Sequence, residues 1–333
     1  MILIETPTGQ CLRPMHLLLM LYRYLSGVYQ LGDVAALNYV KGYVDGHAAG
    51  PQLDRVLTVS GHGIGEPEVW LSDRLPSATI DTVSFRQLDT QLLQFLRTAG
   101  RRGVAEAFEK FRDLVRPFPA LSQLVEDEGL VPYWEMQAEE WCVPRRPFVS
   151  VYSDSPQCIP DSRSYDLIYV SHGLRYLDLS VVTGLRQHLR PSGWLAILVP
   201  SNADTGGERF ADSPCVASAR HLFNQLLGRR GYPPVRDSQS YVDFAPLATN
   251  MELIRFSVPA PARSMLVGEL LIYSMHEHLN DRVRLHVLAE TLDALTVTDV
   301  SVQEILQLFM IEGERQWALM PQLRLSHACD SSN

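Results

Sequence analysis

The chain has few cysteines, and their arrangement argues against two classes of protein. They are odd in number, widely separated and without a CxxC pair: Cys11, Cys142, Cys158, Cys215 and Cys329. Disulfide-rich secreted domains have an even number of cysteines, and zinc sites have closely paired ones. We therefore expect no disulfide framework, no metal site and a reducing, cytoplasmic compartment.

The chain also lacks a long apolar run and an excess of basic residues. The apolar stretch from His16 to Leu25 contains Arg23 and is far shorter than the roughly 20 residues of a membrane span. Met1 to Ile4 has no basic residue of the kind that begins a signal peptide. Acidic residues outnumber basic ones by 38 to 29, and the basic ones form no stripe. We expect neither a membrane nor a nucleic acid as partner.

Apolar residues are abundant enough for a large core. Hydrophobic residues make up 46% of the 333 positions and charged residues 20%, as in ordinary globular proteins. The length exceeds one typical domain but suits one large core that carries insertions. The oligomeric state stays open, with a homodimer among the alternatives.

Short β-branched runs alternate with helical patterns along most of the chain. The predicted strands are Arg55 to Ser60, Thr79 to Phe85, Phe148 to Tyr152, Tyr165 to Ser171 and Trp194 to Val199. The predicted helices between them are Glu66 to Leu75, Leu88 to Thr98 and Val181 to Leu189. Strands that alternate with helices indicate βαβ units and a parallel sheet. Further along the chain, we expect edge strands at Leu253 to Val258 and Ala318 to Leu325, and a helix at Val283 to Leu295.

The domain organisation follows from this alternation. Residues 1–50 have helical spacing, with Gly27 and Gly32 as breaks, and predict a helical N-terminal cap. Residues 51–333 form the predicted α/β domain. Two long excursions interrupt it, at about residues 100–146 and 204–244. Excursions of this length are usually lids or substrate-binding insertions.

A glycine triplet follows the first predicted strand and precedes a helix. Gly61, Gly63 and Gly65 alternate with His62 and Ile64. Glycine has no Cβ, so the backbone can approach a ligand closely at such a turn. A tight turn without a ligand is the alternative for the triplet taken alone.

Two longer stretches resemble the class I S-adenosylmethionine-dependent methyltransferases. RVLTVSGHGIGEPEVWLSDRLPSATIDTVSF resembles their first two sheet units. PDSRSYDLIYVSHGLRYLDLS, followed by LRQHLRPSGWLAILVPS, resembles their fourth strand, helix and fifth strand. The resemblance covers about Leu53 to Asn202. It implies an α/β fold with a doubly wound, Rossmann-like, seven-stranded methyltransferase sheet, and S-adenosylmethionine as the cofactor.

The resemblance also implies roles for individual residues. Gly61, Gly63 and Gly65 would cradle the methionine part of the cofactor. Asp154 matches the acid that accepts the adenine amino group, a task for which an acceptor-only carboxylate is suited. Cys158 and Ile159 would flank the adenine ring. The alternative for Asp154 is an ordinary turn residue.

Two positions depart from the family's pattern. Members usually have an acid near the end of the first strand, where this chain has Thr58 and Val59, and another at the end of the second, where it has Ser84. The second acid clasps the ribose hydroxyls, of which Ser84 could bind one. Three acids could substitute from shifted positions, namely Glu66, Asp81 and Asp89. The remaining alternative is a site that no longer binds the usual cofactor.

Candidate reacting residues follow the fourth and fifth predicted strands, where open parallel sheets bind their ligands. His172 could act as a general base, and Tyr176 could place its ring against the sulfonium. Ser201 is a further candidate for catalysis. Arg175 and Asn202 are candidates for binding a polar group of the substrate. Packing against the sheet is the alternative for Tyr176, and a surface position for His172.

Aromatic residues outside the sheet are candidates for a cover over the site. Tyr29, Tyr133 and Trp134 are the predicted substrate-binding rings, and core packing is their alternative. His276 and His278 lie two apart in a predicted helix. Residues two apart face different sides of a helix, which argues against a paired metal site.

These observations leave three hypotheses about function. The first is a small-molecule methyltransferase of specialised metabolism that acts by in-line displacement. The second is a cyclase of the azetidine-2-carboxylate type, which consumes S-adenosylmethionine and releases methylthioadenosine. The third is a cofactor-independent cyclase or an inactive binding scaffold, which the missing acids favour and the glycines and Asp154 oppose.

Overall fold

The computed structural model describes most of the predicted elements. It covers residues 2–5, 9, 11–25, 35–42, 53–60, 66–84, 87–142, 150–153, 164–171, 185, 187–200, 214–235, 252–276, 278–295 and 301–312. The strands there are β1 (Ile4–Glu5), β2 (Cys11–Leu12), β3 (Arg55–Ser60), β4 (Thr79–Ser84), β5 (Ser150–Ser153), β6 (Tyr165–Ser171), β7 (Leu189–Pro200), β8 (Glu252–Pro261) and β9 (Ser301–Glu312). The helices are α1 (Pro14–Leu25), α2 (Glu66–Arg74), α3 (Gln87–Val115), α4 (Pro119–Val125), α5 (Leu130–Cys142), α6 (Pro214–Arg229), α7 (Ala262–Ser274) and α8 (Asp281–Asp293). Residues 35–42 are also helical.

One sheet organises the fold. Its strand order is β5-β4-β3-β6-β7-β9-β8. The first five strands in this order are parallel, and β9 is antiparallel to both β7 and β8. The chain therefore builds the sheet outward from β3, first towards β5 and then towards β8. The predicted α/β fold with a parallel sheet and helices is confirmed.

The central strands are apolar because both of their faces are covered. All seven residues of β6 are buried, and so are Val56, Leu57 and Val59 in β3. Parallel strands covered by helices on both faces are rich in valine, leucine and isoleucine rather than alternating. This composition explains why the bounds of β3 and β6 agree with the sequence prediction.

Four neighbouring strands end at the same level of the sheet. Their last residues are serines, and the register pairs Ser153 with Ser84, Ser84 with Ser60, and Ser60 with Ser171. We call these four residues the serine row. Since the strands are parallel, the row marks their common carboxyl edge.

Asp166 holds together the amino ends of three strands, at the edge of the sheet opposite the serine row. Its carboxylate accepts hydrogen bonds from the backbone N–H groups of Asp54, at 3.1 Å, and Arg55, at 2.9 Å, and its other oxygen contacts Arg190 at 2.5 Å. These bonds join the starts of β3, β6 and β7. The carboxylate itself is buried, and its bonds hold the starts of the three strands in fixed positions relative to one another.

Helices from three regions of the chain pack into one layer. Helix α1 contacts α3, α5 and α7, while α8 contacts α4, α6 and α7. Ten consecutive residues of α1, from Pro14 to Arg23, are buried. A helix buried all round belongs to a core. The described helix α1 of the predicted N-terminal cap is therefore a core helix, and the division of the chain after residue 50 stays a prediction.

A buried ionic cluster ties the N-terminus to α8. Asp281 accepts hydrogen bonds from Arg284 at 2.7 Å, from Arg13 at 3.2 Å and from the backbone N–H of Ile2 at 3.2 Å. Arg284 is fully buried and also donates to the carbonyls of Ser274, His276 and Leu279. Burial lowers the pKa of Arg284 to about 10, against the attraction of Asp281.

Several predicted elements differ from the observed ones. The helix predicted for Leu88 to Thr98 continues to Val115, with a kink at Gly100, where φ is 61° and ψ is −175°. Leu189, predicted to end a helix, begins β7, where it pairs with Tyr165. His276 and His278 lie beyond the end of α7 rather than inside a helix.

The C-terminal strands are partly as predicted. The run Leu253 to Val258 lies within β8, which is an edge strand. Its partner β9 was not predicted, and the strand predicted at Ala318 to Leu325 lies outside the described residues. In the part of the chain that the structure describes, no helix is both long and apolar enough to cross a membrane.

Candidate functional site

Most predicted site residues continue the chain from the carboxyl edge of the sheet. Gly61 follows Ser60, Asp154 follows Ser153, His172 follows Ser171, and Ser201 follows Pro200. Ser84 is itself the last residue of β4, and its side chain is not among the described ones. The other predicted site residues that lie outside the described residues are Tyr29, Gly61, Gly63, Gly65, Asp154, Cys158, Ile159, His172, Arg175, Tyr176, Ser201 and Asn202.

The register brings the origins of these segments together. Ser60 pairs with Ser84 on one side and with Ser171 on the other. From β3 the chain proceeds to β4, whereas β6 leads to β7 on the opposite side. Open α/β sheets bind ligands outside the carboxyl ends at such a change of direction. The segments that contain the site candidates therefore start at the edge where open α/β sheets bind ligands.

A buried carboxyl group lies beneath this edge. Glu68, in the first turn of α2, is 1% exposed. Its Oε1 accepts a hydrogen bond from the hydroxyl of Thr58 and a second one, at 3.2 Å, from the hydroxyl of Thr82. Thr58 and Thr82 are register partners on β3 and β4 and are themselves buried. One carboxyl group thus joins a helix to two strands.

Glu68 is a candidate that the sequence analysis missed. Thr58 stands where an acid was expected near the end of the first strand, and it contacts an acid that comes from the following helix. The sequence did place this acid in the first turn of a predicted helix, where the helix dipole favours a carboxylate. Its burial could not be predicted, because it depends on two hydroxyl groups from separate strands.

Asp81 is not available as a substitute ribose ligand. It is 1% exposed, and its Oδ2 accepts a 2.9 Å hydrogen bond from the phenol of Tyr165. Tyr165 is the first residue of β6, so this bond lies towards the amino edge of the sheet, away from the serine row. The side chains of Glu66 and Asp89, the other two alternatives, are not among the described ones.

Trp134 corrects the predicted aromatic cover. Its ring is 1% exposed, and its indole N–H donates to the carbonyl of Met20 at 3.1 Å. A ring held inside the helical layer presents no surface to a substrate. Tyr133 is only partly buried and contacts Trp134 at 5.2 Å between ring centroids. Its substrate-binding role stays a prediction.

Tyr24 connects the same helical layer to the turn before α5. Its phenol donates to Asp127 at 2.7 Å, and its ring lies 5.7 Å from that of Tyr133. Burial and the hydrogen bond to Asp127 raise the pKa of Tyr24 to about 12. Tyr24 is therefore a neutral hydrogen-bond donor at physiological pH rather than a base.

The two histidines beyond α7 lie close together. The ring centroids of His276 and His278 are 5.8 Å apart and tilted by 52°. The described ranges contain no group of three or more histidine, cysteine, aspartate or glutamate side chains placed to hold a metal ion.

Comparisons with known proteins give structural similarities alone. No family model and no curated protein sequence matches the chain. Solved structures similar to it include the precorrin-6Y C5,15-methyltransferase of Geobacter metallireducens, at 10% identity and a TM-score of 0.35, covering 84% of this chain and 86% of that one. A coclaurine N-methyltransferase bound to N-methylheliamine and SAH has 7% identity and a TM-score of 0.37, with 84% and 71% of the two chains covered. The E. coli protein YjhP has 12% identity and a TM-score of 0.37, with 86% and 92% covered. The fold is defined by the strand order β5-β4-β3-β6-β7-β9-β8 and by the register of these strands.

Proposed function

We propose that this protein is an S-adenosylmethionine-dependent methyltransferase that acts on a small molecule of specialised metabolism. The observation that carries the proposal is the pairing of Ser60 with both Ser84 and Ser171. This register starts the glycine segment and the His172 segment side by side, at the edge where such sheets bind ligands. The sequence resemblance to class I methyltransferases agrees with that placement.

The residues at this edge suit S-adenosylmethionine. Gly61, Gly63 and Gly65 would let the backbone approach the methionine part, because they lack a Cβ. Asp154 would accept the adenine amino group, between Cys158 and Ile159. Ser84 would bind a ribose hydroxyl. In place of the expected strand acid, the carboxyl group of Glu68 contacts the hydroxyls of Thr58 and Thr82.

Bound S-adenosylmethionine would supply an activated methyl group, so the protein needs chiefly to position the acceptor. Arg175 and Asn202 would orient the acceptor, and Ser201 would hold a polar group near the reacting atoms. His172 would remove a proton from a weakly acidic acceptor such as a hydroxyl group. The ring of Tyr176 would face the positive charge of the cofactor.

The parts of the chain outside the sheet would complete a closed pocket. The parts of residues 1–50 outside α1 and the insertions at about residues 100–146 and 204–244 would supply the cover, with Tyr29 and Tyr133 on its substrate side. A closed pocket suits a metabolite better than a nucleic acid or a membrane. We place the enzyme in the cytoplasm and expect a monomer or a homodimer.

Calorimetry with S-adenosylmethionine, followed by mass spectrometry of the mixture, tests the proposal. Binding without turnover, followed by methylation of an acceptor from a metabolite panel, is the expected outcome. Methylthioadenosine formed without an acceptor would instead support the internal cyclase. The absence of binding would overturn the proposal and favour the cofactor-independent cyclase or scaffold. The matched ligand control is S-adenosylhomocysteine, which cannot donate a methyl group.

A further inference from the structure

An ionisable side chain caps the first turn of α1. Arg13 is the residue before this helix, and His16 is its third residue. Nδ1 of His16 accepts the backbone N–H of Arg13 at 2.9 Å. A bond of this kind is one half of a capping box, in which the acceptor is ordinarily glutamate or glutamine. Histidine can replace them only while Nδ1 carries no proton, because a protonated ring nitrogen donates and cannot accept.

The capped residue also holds the N-terminal segment against α8. The guanidinium of Arg13 donates to Oδ1 of Asp281 at 3.2 Å, and the backbone N–H of Ile2 donates to Oδ2 at 3.2 Å. We call these two bonds the N-terminal clasp. Ile4 and Leu12 pair with each other between the two bonded residues and are buried. Opening of the clasp would therefore loosen a segment that contributes apolar side chains to the core.

Arg13 is the more weakly held of the two cations that share Asp281. Arg284 donates to the carboxylate at 2.7 Å, also donates to three carbonyl groups, and is fully buried. The side chain of Arg13 is 33% exposed, and its Nε is buried without a hydrogen-bond partner among the described residues. Loss of the backbone bond to His16 would therefore leave Arg13 attached to Asp281 by one bond of 3.2 Å.

The surroundings of the His16 ring oppose a positive charge on it. Nε2 lies 3.0 Å from Oε1 of Gln91, a neutral residue of α3. Within the described ranges, the charged groups that act on the ring are Arg13 and Asp281, and the other helices packed against α1, α5 and α7, contribute none. Asp281 already neutralises part of two cations, Arg13 and Arg284. A proton on the buried ring would add a third positive charge at a helix N-terminus, where negative charge is favoured.

We infer that His16 is an acid-sensitive switch that controls the N-terminal clasp. Protonation removes the acceptor of the Arg13 backbone N–H and places a cation beside the Arg13 guanidinium. Ile2 and Arg13 then separate from Asp281 while the sheet stays folded.

The direction of the switch follows from where the ring binds its proton. In the closed segment, burial lowers the pKa of His16 below its ordinary value of 6.5. In the open segment the ring contacts water, and its pKa returns towards 6.5. Falling pH therefore favours the open form between 6.5 and the lowered value, and above pH 6.5 the clasp stays closed. This device is independent of the proposed function.

Hydrogen–deuterium exchange of the full-length protein at about pH 8 and about pH 5.5 tests the inference. Each rate is divided by the intrinsic rate at the same pH, so that only the opening of the structure is compared. One pH unit below 6.5 favours the open form by about tenfold. In the wild type, protection of residues 11–16 should therefore fall about tenfold between the two pH values, whereas protection of β6 should stay constant.

Two histidine variants isolate the effect of His16. His16→Gln keeps an acceptor for Arg13 and does not titrate, so protection of residues 11–16 should be nearly the same at both pH values. His221→Gln is the matched control, since His221 is an exposed residue of α6 that contacts Gln225. Its protection should fall as in the wild type.

Three outcomes would overturn the inference. They are constant protection in the wild type, a fall of equal size in His16→Gln, and an equal fall in β6, which would indicate global unfolding. If His16→Gln does not fold, His16→Glu decides, because glutamate is a usual capping-box acceptor and its charge balances that of the two arginines. Constant protection in this variant supports the inference, and a tenfold fall contradicts it.

Discussion

The phenol of Tyr165 donates a 2.9 Å hydrogen bond to Oδ2 of Asp81, although β3 lies between their strands. Both side chains are buried. The bond crosses the face of β3 and connects β6 to β4 within the amino half of the sheet. Its role is therefore to join strands, and it lies apart from the edge at which the ligand is expected.

Tyr165→Phe should lower stability without affecting the ligand site. The change removes the donor and leaves a buried carboxyl oxygen without that partner, a loss of about 1–3 kcal/mol in the free energy of unfolding. Urea unfolding followed by circular dichroism measures it. Calorimetry should give wild-type affinity for S-adenosylmethionine. Weaker binding of S-adenosylmethionine at unchanged stability would instead indicate that Asp81 is a ribose ligand.

Gly193→Ala should destabilise the protein through backbone crowding. A Cβ at this position would lie 2.9 Å from the carbonyl oxygen of Tyr165 and 3.0 Å from those of Arg190 and Asp166. Backbone oxygens in a paired sheet cannot move as a side chain can, so we expect a loss of about 1–3 kcal/mol in the free energy of unfolding. Thermal and urea unfolding check the value.

Gly228→Ala is the matched control for this crowding. Gly228 lies in α6, and a Cβ there would meet no atom within 4 Å. Alanine restricts the unfolded chain more than glycine does, so we expect a gain of about 0.4–1 kcal/mol. Equal destabilisation by both substitutions would contradict the steric explanation for Gly193.

Asp281→Ala should be among the most destabilising single substitutions in the helical layer. It would leave the fully buried guanidinium of Arg284 without its counter-charge. Removing one partner of a buried ion pair costs about 3–5 kcal/mol. Urea unfolding provides the measurement. The exposed pair of Arg102 with Glu106 is the control, since Glu106→Gln should change stability by at most about 0.5 kcal/mol.

The parallel strands could be predicted because their sequences are apolar, as expected for strands that are buried on both faces. In β3 and β6, apolar runs bounded by polar residues gave the observed bounds. In contrast, β9 has the sequence SVQEILQLFMIE, in which leucine, glutamine and glutamate favour a helix. Its place between β7 and β8 overrides that preference, since β8 pairs with residues 301–310 and β7 with residues 306–312.

The contacts of single polar residues were beyond prediction. Glu68 is buried because two hydroxyls on different strands meet its carboxyl group, and Trp134 because the carbonyl of Met20 accepts its N–H. Each partner is distant in the sequence or lies on another element. The spacing of apolar residues along one segment predicts which face of that segment is apolar. It does not predict which distant residues its polar side chains contact.

The last prediction concerns pH and His16, the third residue of α1. Its Nδ1 accepts the backbone N–H of Arg13 at 2.9 Å, and its Nε2 lies 3.0 Å from Oε1 of Gln91, an arrangement that fits the neutral ring. Burial disfavours the charged ring and lowers the pKa of His16 below its ordinary value of 6.5, against the opposing effect of the bond to Gln91.

Stability should therefore fall with decreasing pH in a way that depends on His16. Below pH 6.5 the unfolded chain binds a proton at His16 before the folded protein does, so the free energy of unfolding decreases until the lowered pKa of the folded state is passed. Above pH 6.5 the residue is neutral in both states and has no such effect. His16→Gln keeps an acceptor for Arg13 and does not titrate. Urea unfolding at about pH 8 and about pH 5.5 should show a smaller loss for this variant than for the wild type, and equal losses would show that folding does not lower the pKa of His16.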